Sequence, residues 1–139
     1  MLEKIHFRRT DPSETVIYEL VKKVLIVDSD TQKGSQVERI IKRQNHLSLG
    51  IVDNIFDLEK KIKAFEPDMI FINLLTEGQL DGYQITKILK LDHDISFAVY
   101  YDDEMPKQEK WAEELNPDHL IKYTSNENTL SQKIEESLR

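Results

Sequence analysis

Polar side chains that could take part in chemistry follow three short apolar runs of this sequence. Asp28 and Asp30 come after the first run, Asn73 ends the third, and Lys122 ends the fifth. Acidic groups near a lysine are often only a solvent-exposed ion pair, and the sequence leaves that alternative open. Because strands of one parallel sheet end at the same edge, the three strand ends together indicate a shared pocket, which is the more specific interpretation.

The apolar run that ends in Asn73 is predicted to lie at the centre of the sheet. Residues 67–73 read Pro-Asp-Met-Ile-Phe-Ile-Asn. Such a short apolar segment is typical of a strand that is buried on both faces. The residue at its end lies at the edge where ligands gather in open α/β folds. Here that residue is an amide, where a carboxylate would be expected.

From residue 23 onward, apolar runs and amphipathic segments alternate five times. Parallel strands need crossover connections, so this alternation predicts a parallel sheet with helices on both faces. The predicted strands are 24–27, 47–52, 67–73, 95–101 and 119–121. The predicted helices begin near residues 35, 54, 81, 106 and 130.

Residues 1–22 stand apart from this pattern, and we interpret them as an N-terminal extension before a domain of residues 23–139. Asp11 and Pro12 fit the first positions of a helix, which is the favoured interpretation. A strand remains the alternative, because apolar residues also alternate over 16–20. The extension packs on its own domain or meets a partner or a second copy. The apolar face of the helix would hold Val16, Ile17, Leu20 and Val21.

The composition limits the classes of function. The chain has 139 residues and a net charge of −7, which counts against nucleic-acid binding because a phosphate-binding surface must be basic. The absence of cysteine excludes disulfides and Cys-ligated zinc. No apolar run approaches the roughly 20 residues of a membrane helix, and the N-terminus lacks the apolar core of a signal peptide. We therefore expect a cytoplasmic protein with a protein partner and no membrane or nucleic-acid partner.

The motifs of this sequence resemble those of receiver domains in two-component response regulators. The resemblance covers about residues 23–138 and rests on Val24–Asp30, Pro67–Asn73, Asp81-Gly82 and Asp118–Lys122. It implies a flavodoxin-like (CheY-like) doubly wound sheet of five parallel strands in the order 2-1-3-4-5, with five helices. In that family, acids after the first strand hold Mg²⁺, and an aspartate ending the third strand accepts a phosphoryl group. A Ser or Thr ending the fourth strand and a Lys ending the fifth contact that group.

The sequence departs from the family's motifs at several of these positions. Asn73 takes the place of the phosphoacceptor aspartate, Ser29 that of the second acid, and Val99 that of the Ser or Thr. An amide forms no acyl phosphate, and Mg²⁺ needs anionic oxygens, so we expect no cofactor and weak or absent Mg²⁺ binding. With no phosphate to hold, Lys122 is expected to pair with Asp28 or to hydrogen-bond to Asn73. The residues of this degenerate pocket are Asp28, Ser29, Asp30, Asn73, Val99 and Lys122.

The resemblance thus implies an atypical receiver, or pseudo-receiver, that signals by binding and is not an enzyme. In ordinary receivers the fourth helix, fifth strand and last helix form the partner face, which would carry Trp111, His119 and Tyr123 here. Homodimerisation through this face or through residues 1–22 is a further alternative. Two other functions stay open, a working receiver that is phosphorylated on Asp28 or Asp30, and an enzyme or nucleotide binder. The sequence offers little support for an enzyme or nucleotide binder, because it has no glycine-rich phosphate loop and its histidines are not spaced as metal ligands.

Overall fold

The computed structural model describes residues 21–102 and 106–139, along which five strands and five helices alternate. The structure predicted for residues 1–20 lies outside this described part. The strands are β1 (Lys23–Val27), β2 (Leu47–Val52), β3 (Met69–Asn73), β4 (Ser96–Asp102) and β5 (His119–Tyr123). The helices are α1 (Thr31–Arg43), α2 (Ile55–Phe65), α3 (Gly82–Asp92), α4 (Pro106–Glu114) and α5 (Glu127–Ser137).

The five strands form one parallel sheet in the order β2-β1-β3-β4-β5. This confirms the predicted architecture and strand order. β3 lies between β1 and β4, and all five of its residues are buried. Since every strand runs in the same direction, the residues that follow β1 and end β3 and β5 are brought to one edge, the carboxyl edge of the sheet.

Alternate residues of each strand face two separate hydrophobic clusters, one on each side of the sheet. On one side, α1 and α5 cover strand residues such as Ile26 and Phe71. On the other side, α2, α3 and α4 cover residues such as Val27 and Ile72. The side of the sheet on which a strand-end residue falls therefore decides which other side chains it meets. Among the helices of the described part, none combines the length and apolar character that spanning a bilayer requires.

Side-chain caps mark where four of the helices begin, and those of α1 and α3 bear on the predicted site. The carboxylate of Asp30 accepts hydrogen bonds from the backbone N–H groups of Gln32 and Lys33, so α1 begins at Thr31 and not near residue 35 as predicted. The first turn of α1 is polar, and apolar periodicity alone could not reveal it. Asp81 caps α3 in a capping box with Gln84.

Gly82 allows α3 to begin directly against the end of β3. A Cβ atom at this residue would lie 2.1 Å from the carbonyl oxygen of Asn73 and 2.6 Å from that of Leu74. Both are backbone atoms, so a side chain cannot be accommodated without moving the chain. The Asp81-Gly82 pair therefore combines a helix cap with a close backbone contact, and it fixes the loop that follows Asn73.

Candidate functional site at the carboxyl edge

Asp28 is the centre of a buried polar cluster at the carboxyl edge of the sheet. The residue follows β1 directly and is only 2% exposed. Its Oδ1 accepts a hydrogen bond from Nδ2 of Asn73 at 2.9 Å and another from the backbone N–H of Asp30 at 2.8 Å. Its Oδ2 accepts a hydrogen bond from the hydroxyl of Tyr100 at 2.5 Å. Both oxygens of the carboxylate therefore have partners within the protein.

Both the nitrogen and the oxygen of the Asn73 side-chain amide form hydrogen bonds. Nδ2 donates to Asp28, while Oδ1 accepts a hydrogen bond from the backbone N–H of Leu75 at 2.9 Å. A carboxylate at this position could accept from Leu75 but could not donate to Asp28. The amide at the end of β3 is thus matched to the carboxylate at the end of β1.

Tyr100 is the β4 residue that faces this cluster. Tyr100 pairs with Asn73 in the β3–β4 register, and directly paired residues of neighbouring strands share one face of a sheet. Val99 pairs with Ile72 and lies in the hydrophobic cluster on the opposite face. The assignment of Val99 to the pocket is therefore corrected. β4 is buried on both faces, so the sequence carries no alternation from which the orientation of its last residues could be read.

Sequence reasoning missed Tyr100, although a signal for it was present. The run Phe97–Tyr101 contains two tyrosines within an otherwise apolar buried strand. A buried tyrosine needs a hydrogen-bond partner for its hydroxyl. The acids that follow β1 were the available acceptors at that edge.

Lys122 is the next-to-last residue of β5 and does not take part in the Asp28 cluster. The residue is exposed, and the hydrogen bonds to Asp28 come from Tyr100 and Asn73. No ion pair joins Lys122 to residues 21–102 or 106–139. The predicted contact of Lys122 with Asp28 or Asn73 is therefore corrected. Neutral donors satisfy the buried carboxylate without the desolvation of a second charge.

Burial governs the protonation states within the cluster. Burial raises the pKa of the Asp28 carboxyl above its ordinary value of 3.8, while the hydrogen bonds from Tyr100, Asp30 and Asn73 oppose that shift. Burial and the adjacent charge of Asp28 raise the pKa of the Tyr100 phenol well above its ordinary value of 10.0. Tyr100 therefore keeps its proton at neutral pH and acts as a hydrogen-bond donor.

Ser29 and Asp30 are engaged by backbone groups of the surrounding loops. Oγ of Ser29 accepts a hydrogen bond from the N–H of Glu77 at 2.8 Å, which ties the β1–α1 loop to the β3–α3 loop. Oδ1 of Asp30 accepts from Gln32 at 3.0 Å and from Lys33 at 3.1 Å. The structure thus places Asp28, Ser29, Asp30 and Asn73 at one edge of the sheet, with the last two predicted pocket residues, Val99 and Lys122, directed elsewhere.

A second group of contacts joins α1 to β4 and β5 beside Tyr100. The ring centroids of Tyr100 and Tyr123 lie 6.3 Å apart, and the hydroxyl of Tyr123 donates to Oε1 of Gln36. Nζ of Lys33 lies 4.9 Å from the centroid of the Tyr123 ring and 3.6 Å from a carboxylate oxygen of Asp102. These contacts bind α1 to the strands that carry the cluster.

The three residues predicted for a partner face do not lie on one side of the sheet. Trp111 is 48% exposed on α4, the helix whose apolar residues join the Val27 side of the core. Tyr123 packs on the opposite side, with the cluster under α1 and α5. His119 is half-buried at the start of β5. Tyr123 and the helix that carries Trp111 therefore pack on opposite sides of the sheet.

Comparison with known proteins identifies the fold through solved structures, since neither a family model nor a curated protein matches the sequence. The signal receiver domain of a modulated diguanylate cyclase from Desulfovibrio desulfuricans G20 is 19% identical, with a TM-score of 0.70 over 85% of this chain and 94% of that chain. The receiver domain of NtrX from Brucella abortus is 17% identical, with a TM-score of 0.72 over 83% and 97%. The PhyR response regulator REC domain from Erythrobacter litoralis is 14% identical, with a TM-score of 0.69 over 85% and 90%. The chain therefore has the receiver fold.

The receiver fold implies a Mg²⁺ ion at this edge, and the donor set here does not fit one. Mg²⁺ requires a near-octahedral set of oxygen ligands, with carboxylates among them. Asp28 is the one buried acidic residue in the described part of the chain, and both its oxygens accept protein hydrogen bonds. Asn73 presents a nitrogen to Asp28, not an oxygen to a cation. Within residues 21–102 and 106–139, no group of three or more His, Cys, Asp or Glu side chains could hold a metal.

Proposed function

We propose that this chain is a pseudo-receiver, a signalling module of receiver fold that acts by binding a protein partner and takes no phosphoryl group at residue 73. The observation that carries the proposal is the fully hydrogen-bonded carboxylate of Asp28, with Asn73 on one oxygen and Tyr100 on the other. The group that would accept a phosphoryl is an amide, and the acid that would hold a cation is already bound.

Phosphoryl transfer to a receiver would need three things that this edge lacks. It needs a nucleophilic carboxylate, and an amide nitrogen such as that of Asn73 is not a nucleophile. It needs charge neutralisation by a cation and a lysine, but Asp28 is bound by neutral donors and Lys122 is exposed. It also needs space beside β4, where the phenol of Tyr100 lies. Loss of the chemistry with retention of the fold supports a role that depends on surface and shape.

A protein partner is the class that the chemistry of the surface favours. The net charge of −7 opposes binding to phosphate backbones. Trp111 is half-exposed on α4, and tryptophan is one of the side chains that most often anchor protein interfaces. The helix that carries Trp111 packs on one side of the sheet, and Tyr100 of the Asp28 cluster lies in the core on the other side.

Incubation of the full chain with acetyl phosphate and Mg²⁺, followed by intact-mass measurement, tests the phosphorylation part of the proposal. We expect no phosphoryl adduct on the unmodified chain. The matched variant carries Asn73→Asp, Ser29→Asp and Tyr100→Thr, which restores the acids and removes the phenol, and we expect it to gain the adduct. A phosphoryl group on the unmodified chain would overturn the proposal. Asp28→Asn and Asp30→Asn would then show which acid accepts it, as the alternative of a working receiver requires.

A further inference from the structure

The helix α1 carries the largest excess of basic side chains among the helices of residues 21–102 and 106–139. Four of its 13 residues are Lys or Arg, and only Glu38 is acidic. In each of the other four helices, the basic residues outnumber the acidic ones by one at most. Since the whole chain has a net charge of −7, α1 differs in charge from the rest of the described surface.

Three of these basic side chains form one exposed face of the helix, which we call the α1 basic face. They belong to Arg39, Lys42 and Arg43, and each is more than half exposed. The apolar residues of α1 pack against the sheet on the opposite side of the helix. A shallow groove of about 420 Å³ lies among these three residues, Ser35 and Glu38. The basic side chains therefore surround a recess that a side chain of another molecule can enter.

Two acidic side chains hold the α1 basic face in place without neutralising it. Glu127, at the start of α5, has Oε1 at 3.7 Å from Nη2 of Arg39, while its Oε2 accepts a hydrogen bond from Nη2 of Arg43. That hydrogen bond and the charges of the two arginines lower the pKa of Glu127, so it is ionised at neutral pH. Oε2 of Glu38 lies 4.0 Å from Nζ of Lys42. Two carboxylates thus face three cations, and each guanidinium has five N–H donors, so positive charge and donors remain for a ligand.

The spacing of the two arginines indicates the shape of that ligand. Arg39 and Arg43 are four residues apart on α1, which places them about 6 Å apart along the helix axis. A guanidinium group binds a carboxylate through two parallel N–H···O bonds. Two carboxylates that lie four residues apart on another helix have the same spacing. Such a helix can therefore present one carboxylate to each arginine.

We propose that the α1 basic face binds a helix of a protein partner that carries two Glu or Asp residues one turn apart, with their carboxylates on Arg39 and Arg43. Opposite charge at matched spacing supplies the complementarity. The proposal rests on the protein partner proposed above and assigns it a second surface, since α1 and the helix that carries Trp111 pack on opposite sides of the sheet. A nucleic acid fits less well, because its phosphates continue beyond one helix and the rest of this chain is acidic.

Titration of the ¹⁵N-labelled full chain with a model peptide tests this binding. The probe is an alanine-based helical peptide with Glu at every fourth residue, and the matched probe has Gln in place of each Glu. We expect the Glu peptide to shift the amide NMR signals of residues 39–43 to saturation at low salt, and the shifts to weaken as the ionic strength rises. We expect the Gln peptide to leave these signals unchanged.

Removal of two charges from the α1 basic face should weaken the binding. Arg39→Gln with Arg43→Gln should raise the dissociation constant of the Glu peptide at least about fivefold, because two charged contacts are lost. Lys60→Gln with Lys63→Gln removes the same charge from exposed residues of α2, on the other side of the sheet, and should change that constant less than about twofold. Unchanged signals of β1 and β3 would show that both variants are folded.

The outcomes separate this surface from its alternatives. Unshifted signals of residues 39–43, equal shifts with both peptides, or equal losses in the two pairs of variants would each overturn the proposal. Tighter binding of a single-stranded DNA oligomer with the same number of charges would also overturn it, since the face would then favour phosphates. Shifts confined to residues around Trp111 would overturn it and leave the proposed function standing. The test of phosphorylation at residue 73 is independent of all these results.

Discussion

The two edges of the sheet differ in how completely their buried polar groups are satisfied. At the carboxyl edge, both oxygens of Asp28 and both ends of the Asn73 amide have partners within the described residues. At the opposite, amino edge, where the strands begin, the buried Oε1 of Gln44 has no hydrogen-bond partner among the described residues. Ligand and catalytic sites of open α/β folds lie at the carboxyl edge. In this chain the buried polar groups at that edge are satisfied by the chain's own side chains and backbone.

This difference shows how side chains of the chain itself can satisfy a buried carboxylate at the carboxyl edge. The Asp28 cluster links β1, β3 and β4 through side chains. Asn73 and Tyr100 are neutral donors, so the one buried carboxylate is satisfied without a second buried charge. A polar network in which every group has a hydrogen-bond partner rigidifies a core. Removal of one member leaves its partner buried without a hydrogen bond, which is destabilising.

The largest loss of stability is expected from Tyr100→Phe, which removes one hydrogen bond from the Asp28 cluster at the carboxyl edge. The ring is retained, but Oδ2 of the buried Asp28 loses its donor. Leaving one buried acceptor of a charged group unpaired costs roughly 2 kcal/mol. We therefore expect the free energy of unfolding, measured by urea denaturation at pH 7, to fall by about that amount.

Tyr83→Phe provides the matched control for this substitution. Tyr83 is half-buried on α3, away from the Asp28 cluster. Loss of its hydroxyl should change the free energy of unfolding by less than about 0.5 kcal/mol. Equal effects of the two substitutions would mean that the bond between Tyr100 and Asp28 adds nothing to stability.

The fold could be predicted from the sequence because its signals are local. β2 was predicted at 47–52 and lies at Leu47–Val52. The start of α3 was predicted from Asp81-Gly82, which the capping box and the close backbone contact explain. Apolar runs specify buried strands wherever their length and flanking residues agree. The strand order came from the resemblance, since periodicity alone does not specify which strands are neighbours.

The candidate site could be predicted only in part, because it depends on side-chain direction at the ends of buried strands. The sequence indicates Asp28 and Asn73 because each is the first polar residue after a buried apolar run. Val99 is assigned to the pocket by the resemblance alone. Because β4 is buried on both faces, the sequence carries no alternation that would indicate Tyr100 instead. Lys122 was expected to turn inward, whereas hydrogen bonds from neutral groups satisfy Asp28. Such a choice among donors depends on register and desolvation, which the sequence does not display.

The pH dependence of the free energy of unfolding is a second, smaller measure of how the buried Asp28 affects stability. Burial raises the pKa of Asp28 above 3.8 in the folded state. The folded protein therefore binds this proton more tightly than the unfolded chain does. The resulting stabilisation is complete below pH 3.8 and is lost as the pH rises through the folded pKa. Each unit of difference between the folded and unfolded pKa corresponds to about 1.4 kcal/mol.

Asp28→Asn isolates this contribution, because an amide does not titrate. We expect the free energy of unfolding of the variant, relative to that of the unmodified chain, to increase as the pH rises above 3.8 and then to level off. Urea denaturation at intervals between pH 3 and pH 7 measures the difference. A difference that decreases over this range would mean that the hydrogen bonds from Tyr100 and Asn73 outweigh burial and lower the folded pKa.

The smallest loss in the free energy of unfolding is expected from Gln44→Met, at the amino edge of the sheet. The substitution removes the two bonds to Ser131, but Ser131 is half-buried and water can replace them. The free energy of unfolding should therefore fall by less than about 1 kcal/mol, well below the loss for Tyr100→Phe. A Gln44→Met loss as large as that of Tyr100→Phe would show that the hydrogen bonds of Gln44 contribute as much to stability as the bond between Tyr100 and Asp28.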